Sequence, residues 1–253
     1  MQDAWTDQGM PLEAESEDNG LAEPADTDVA PEEEAPVELT FDEKLFLLEE
    51  AVTKHPLNRE VLYKTLAYCA EERTLQDLEA KIASWPEFKT ATQNQARMAD
   101  TLVRAHGLER IERDADGEPI TPEQKEGLDE DAIDDLVQSV SFRATDVGAR
   151  FVEQHRPRAR LVELLQLAPE RAGTYIELLE FTAEKPRSYG EISELLRGRP
   201  VLETVIDGTR HTMQPSVFVD KLERAGALVW KEGWSLTEEG EAFLQDLRAS
   251  DQG

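Results

Sequence analysis

Two stretches of this sequence place amide and guanidinium side chains at spacings that one helix face could present to the edge of a base pair. Asn94, Arg97, Asp100, Thr101 and Arg104 form the first set, and Gln214, Val217, Asp220, Lys221 and Arg224 form the second, 120 positions later. Side chains three and four apart are neighbours on a helix surface. Asn and Gln match an adenine edge, and Arg matches a guanine edge. Each set also holds an aspartate, which repels phosphate even though it could accept from cytosine N4. Lys231 is followed at once by Glu232, and Arg156, Arg158 and Arg160, with Arg150 nearby, make the one dense basic stretch. That stretch suits a solvated linker face, or else a contact with phosphate or with an acidic partner.

Catalysis has less to work with. The sequence contains no phosphate-cradling Gly-rich loop, no His-Glu-x-x-His and no Cys-x-x-Cys. Its four histidines, His55, His106, His155 and His211, are scattered. Cys69 lies beside Leu66 on an apolar helical face and reads as a buried core thiol, since a nucleophile needs an exposed, electropositive setting. The expectation is a chain that is not an enzyme and that holds no metal and no cofactor. Trp230 and Trp234 fall on alternate strands of a small hairpin, where they either pack under it or expose an aromatic anchor.

The elements that must carry these residues repeat. Thr145-Asp-Val-Gly148-Ala-Arg-Phe151-Val152 matches Thr237-Glu-Glu-Gly240-Glu-Ala-Phe243-Leu244 at an offset of 92. Each reads as a strand end, an N-cap Thr and a short helix. Leu102-Val-Arg104-Ala105-His-Gly-Leu108 pairs with Leu222-Glu-Arg224-Ala225-Gly-Ala-Leu228 at an offset of 120, as a helix end, a Gly stop (Gly107, Gly226) and a strand start. Upstream, Thr74 and Ser188 are the matching N-caps, and Ser188 with Glu191 makes a capping box. The first copy is longer after its third helix, where Asp114–Ser139 separates strands expected at Leu108–Ile111 and Val140–Ala144. Within that insertion, Asp129–Val137 has the pattern of a short acidic helix capped by Asp129.

In the second copy the order reads helix (about Thr174–Glu184), capped helix (about Tyr189–Arg197), loop (Pro200–Met213), helix (about Pro215–Arg224) and hairpin (Leu228–Leu236). Here the sequence resembles the winged-helix superfamily. Phe218-Val-Asp-Lys-Leu222-Glu-Arg-Ala-Gly226-Ala-Leu228-Val-Trp, with Leu236-Thr237-Glu-Glu-Gly240-Glu-Ala-Phe243-Leu, looks like the third helix, wing and closing helix of bacterial winged-helix regulators. The resemblance covers residues 174–247 and extends to 59–155 through the repeat. It implies a mainly α fold with small β-hairpin wings: winged-helix domain 1 over 41–157, with an acidic wing insertion at 114–139, and winged-helix domain 2 over 158–249. It also implies that the third helices enter a major groove while the wings touch backbone or minor groove.

Charge is unevenly spread. The net charge is −28, yet residues 1–40 alone hold thirteen acids and no Lys or Arg, and residues 114–139 hold ten acids and one base. The first segment cannot bury enough apolar surface to offset its ordering entropy and reads as a disordered acidic tail. A wing of net −9 would be pushed from a duplex. The chain opens without a basic n-region, no apolar run reaches the roughly 18 residues of a membrane span, and there is one cysteine, so a cytoplasmic, non-membrane chain is expected. Two readings follow. The tandem domains form a transcriptional regulator that binds double-stranded DNA through Asn94, Arg97, Thr101, Arg104, Gln214, Lys221, Arg224 and Lys231. Alternatively, they form a non-enzymatic scaffold for a protein partner.

Overall fold

The structure, a computed structural model, describes residues 38–250 apart from the side chain of Ile206. The expected tail, residues 1–40, lies outside the described residues except for its last three. The chain is mainly helical, with small antiparallel sheets.

The first half begins with α1 (Phe41–Thr53), opened by a capping box between Thr40 and Glu43. Then come α2 (Pro56–Tyr68), β1 (Arg73–Thr74), α3 (Leu75–Ser84), a 3-10 turn (Pro86–Thr90) and α4 (Gln95–Arg104). β2 (Leu108–Arg113) and β3 (Ser139–Ala144) enclose α5 (Pro122–Lys125) and α6 (Glu130–Leu136), and α7 (Asp146–Gln154) closes the half. The strands form an antiparallel sheet in the order β1-β3-β2. Leu48, Val61, Leu66, Leu78, Ile82, Met98, Leu102, Phe142 and Phe151 are buried together between helices and sheet.

The second half runs through α8 (Pro157–Leu167), α9 (Pro169–Glu184), α10 (Tyr189–Leu196), a 3-10 turn (Pro200–Leu202), β4 (Glu203–Ile206) and β5 (Thr209–Thr212). It ends with α11 (Ser216–Arg224), β6 (Leu228–Trp230), β7 (Trp234–Leu236) and α12 (Glu238–Ser250). A second cluster gathers Leu161, Leu178, Leu179, Ile192, Leu196, Leu222, Phe243 and Leu244 around Tyr175 and Phe218, whose ring centroids are 5.1 Å apart.

The matched residues do matching work. The Thr145 hydroxyl donates to the His106 carbonyl at 2.6 Å and accepts from Gly148 N at 3.1 Å. The Thr237 hydroxyl donates to the Gly226 carbonyl at 2.6 Å and accepts from Gly240 N at 3.0 Å. A methyl group on Gly148 would overlap the Gly107 carbonyl, and one on Gly240 would overlap the Ala227 carbonyl. Each closing helix therefore seats its first turn directly on backbone. Two arginines repeat as well. Arg73 donates through Nε to the Tyr68 carbonyl and lies over the Tyr68 ring, and Arg187 does the same with Phe181. Arg73 faces Phe142 across the sheet, and Arg187 bridges Trp234.

Several expectations need correction. Pro200–Met213, read as a loop, contains the β4–β5 hairpin, because Asp207 (φ 50°) and Gly208 (φ 75°) both take the left-handed conformation that a two-residue hairpin turn requires. The helix expected from Thr174 starts at Pro169, whose missing N–H costs nothing at a first helical position. Gly107 is not the stop after α4; His106 takes the left-handed conformation (φ 61°), whereas Gly107 is small because a side chain there would strike Leu48. The stop at Gly226 is left-handed as expected (φ 81°). The acidic helix of the insertion forms, with Asp129 accepting from Ala132 N at 2.9 Å. The insertion also folds back on β2: Ile120 N donates to the Glu112 carbonyl at 2.8 Å, Gln138 N to the Arg113 carbonyl at 2.9 Å, and Lys125 pairs with Glu112.

Candidate interaction surfaces

The helix face expected to read bases is built, but much of its polar chemistry is engaged within the helix itself. Asn94 is the N-cap of α4, and its Oδ1 accepts from Arg97 N at 2.8 Å, as the unpaired first turn of a helix demands. The Thr101 hydroxyl donates to the Arg97 carbonyl at 2.8 Å. Arg104 pairs with Asp100 at 3.0 Å, both exposed. Arg97 is exposed beside a shallow groove shared with Asp100, Arg110 and Val140, and has no ion-pair partner among the described residues.

On α11 the pattern recurs. Arg224 pairs with Asp220 at 3.0 Å, one turn away, as Arg104 does with Asp100. Lys221 is half-buried without an ion-pair partner among the described residues, and Gln214 is exposed ahead of the helix. Lys231 sits at the tip of the β6–β7 turn, at the mouth of a groove between the halves that Tyr63, Lys64, Trp85, Glu238 and Glu239 also line. Among the described residues, no hydrogen bond or ion pair joins the α4 set to the α11 set.

The basic stretch at the junction is dispersed rather than gathered. Arg156 is the N-cap of α8, Arg150 lies 3.7 Å from Glu153, and Arg158 pairs with Asp246. Arg160, read with the others as one basic patch, is instead the tie between the halves. Its two Nη atoms hold Glu60 of α2 at 3.0 and 3.3 Å, Nη1 also donates to the Arg224 carbonyl at 2.8 Å, and the guanidinium lies over the Tyr63 ring. Only 15% of either side chain of the Arg160–Glu60 pair is exposed. Arg59 and Glu223 are drawn into the same seam. Burial, and next the Asp220 carboxylate, push the Glu223 carboxyl above the ordinary glutamate range.

An apolar patch flanks this seam. Leu57 from α2 and Trp230 from β6 are 52% and 42% exposed, and with Pro56, Pro86 and Val229 they line one small cleft that the charged side chains of Arg59, Glu60, Glu87 and Glu223 also border. The Trp pair divides its roles: Trp230 stands out, while Trp234, edge-on to it at 5.5 Å, is half-buried over the Arg187 segment. Packing of both rings under the hairpin is thus corrected for Trp230. Leu57 escaped the sequence reading because its helical spacing to Val61 suggests a core place. Asn58 takes that place, fully buried, with Oδ1 accepting from the Thr92 N–H at 2.8 Å.

The Cys69 thiol is buried, and desolvation pushes it up to about 12, so it stays protonated and unreactive at neutral pH. Among the described residues no group of His, Cys, Asp and Glu could hold a metal ion, and no helix is long and apolar enough to cross a membrane. Comparison with known proteins adds no relative: no family model, no curated protein and no solved structure matches the chain.

Proposed function

We propose that the chain is a non-enzymatic protein-interaction scaffold made of two winged-helix units in tandem. The observation that carries this reading is the exposed patch of Leu57 and Trp230, to which each half contributes one side chain. Trp is among the side chains most enriched at the energetic centres of protein interfaces. The order of helices and hairpin in each half, with its repeated Thr and Gly contacts, supports the winged-helix assignment. The engagement of Asn94, Thr101, Arg104 and Arg224 within the chain argues against base reading as the main role.

Transcriptional regulation on double-stranded DNA remains the second reading. Arg97 and Lys221, which have no ion-pair partners among the described residues, favour it. One comparison separates the two. The full chain is tested for retardation of random and genomic duplexes at low salt, and partner capture from its host is compared between the natural chain and a Leu57→Ser/Trp230→Ser variant. The scaffold reading expects no salt-sensitive retardation and loss of the captured protein in the variant. Retardation that weakens with Arg97→Ala or Lys221→Ala, with a salt slope flattened by about one for each phosphate that the variant no longer neutralises, would establish the regulator instead.

A further inference from the structure

The solvent face of α1 carries side chains that the fold does not use. Phe46 is 63% exposed, the most of any aromatic among the described residues, and Leu47 beside it is exposed as well. The buried side of the helix is formed by Leu48 and Val52. Helix geometry fixes what surrounds Phe46: Asp42 and Glu43 lie four and three residues before it, and Glu49 and Glu50 three and four after it. Four acidic positions thus ring Phe46 on the helix surface, the Glu43 carboxylate being turned back onto Thr40.

These acids do little for the helix. Glu43 serves the cap at Thr40, and Asp42 in the first turn complements the helix dipole. Glu49 and Glu50 stand near the opposite end, which has no base in its last turn and where negative charge opposes the dipole. Lys54 caps that end four residues after Glu50 and Lys44 lies within the helix, but neither makes an ion pair among the described residues; the His155 ring lies 3.5 Å from Glu49, and burial holds that imidazole below its ordinary range. Asp42 and Glu50 have no ion-pair partner among the described residues.

From this arrangement we infer that the face of α1 around Phe46 and Leu47 docks a cationic amphipathic segment of another protein, with apolar side chains on Phe46 and Lys or Arg on the ring. Charge decides between occupants. A second copy would bring the same acidic face against itself, like charge on like. The chain's own residues 1–37 hold twelve acids and no Lys or Arg, so they meet the same repulsion. An anionic bilayer is opposed for the same reason. This inference shares with the scaffold reading only the premise that the chain binds protein, and it rests on other residues.

The test uses the full chain and a synthetic helical peptide of about 18 residues, five turns, with Leu on one face and Lys on the other. Controls are a scrambled peptide of the same composition and a Leu/Glu version. By titration calorimetry, the Leu/Lys peptide should bind one per chain, and Phe46→Ser should weaken it about tenfold or more, as removal of an interface anchor does. Leu47→Ser should weaken it less. Glu49→Gln/Glu50→Gln should weaken it and flatten its salt dependence. The scrambled and acidic peptides should bind far more weakly, and Leu57→Ser/Trp230→Ser should leave binding unchanged, which keeps the two surfaces distinguishable. The inference is overturned if Phe46→Ser binds as the natural chain does, since the attraction is then diffuse. It is overturned equally if the chain alone sediments as a Phe46-dependent dimer, or if removing residues 1–37 raises peptide affinity severalfold, which would make a second copy or the tail the occupant.

Discussion

Gly148 and Gly240 show how one absent methyl can fix the seat of a helix. Because the obstructing atoms are backbone carbonyls, Gly148→Ala or Gly240→Ala cannot be relieved by a rotamer change, and each should destabilise the chain by about 1–3 kcal/mol in chemical denaturation. Gly173, inside α9 with nothing near its Cβ position, provides the contrast: Gly173→Ala should stabilise by about 0.5–1 kcal/mol. Glu223 offers a pH test. Its carboxyl titrates higher in the folded chain than in the unfolded one, so folding favours the protonated form. Its unfavourable contribution is therefore absent below the unfolded value, grows as pH rises toward the folded value, and is fully present above it. Glu223→Gln should accordingly raise the melting temperature at pH 7, with the gain vanishing as the pH falls below the ordinary glutamate range. The repeated Thr and Gly positions were legible in the sequence because identical local jobs select identical residues. The left-handed His106 was not, since a histidine in that conformation carries no signal that glycine would.

Among the elements, most helices and the β6–β7 hairpin follow from caps and apolar spacing. The Thr74, Ser188 and Asp129 caps all form. The β4–β5 hairpin was legible and missed: Asp207-Gly208 between short β-prone runs is a strong hairpin signal. The strands pair only with each other, and such a two-stranded sheet is marginally stable alone. Gly208→Ala should therefore cost about 1 kcal/mol locally. NMR should show that the cross-strand approach of Thr204 and His211 disappears, while the global melting temperature hardly moves. A drop in global stability would mean that the hairpin supports the α11 core. The exposed apolar residues of the candidate surfaces were not legible, because periodicity distinguishes apolar from polar faces but cannot say which apolar residue is left uncovered. Phe46 and Leu57 sit in helices that also send Leu48, Val52, Val61, Leu62 and Leu66 into the core.

For the molecule as a whole, what joins the halves lies furthest from anything local sequence can reveal. Arg160 finds its partner Glu60 one hundred positions away, and the basic cluster around it in the sequence suggested a shared patch instead. Removing one member of a mostly buried ion pair leaves the other uncompensated. Arg160→Ala should thus cost about 3 kcal/mol, and calorimetry should resolve separate transitions for the two hydrophobic clusters if the seam is what couples them. A single unchanged transition would place the coupling elsewhere. The Thr–Gly contact that seats α7, meanwhile, lies at the base of the β2–β3 hairpin, whereas the turn around Gly117 lies far along it, with open space about its Cβ position. Length added at that tip should leave the Thr–Gly foundation in place, since the 114–139 insertion there makes its contacts with β2 rather than with the Thr145 seat. The same tip is then a natural graft site, where an affinity sequence or a fluorophore could be carried without disturbing either candidate surface.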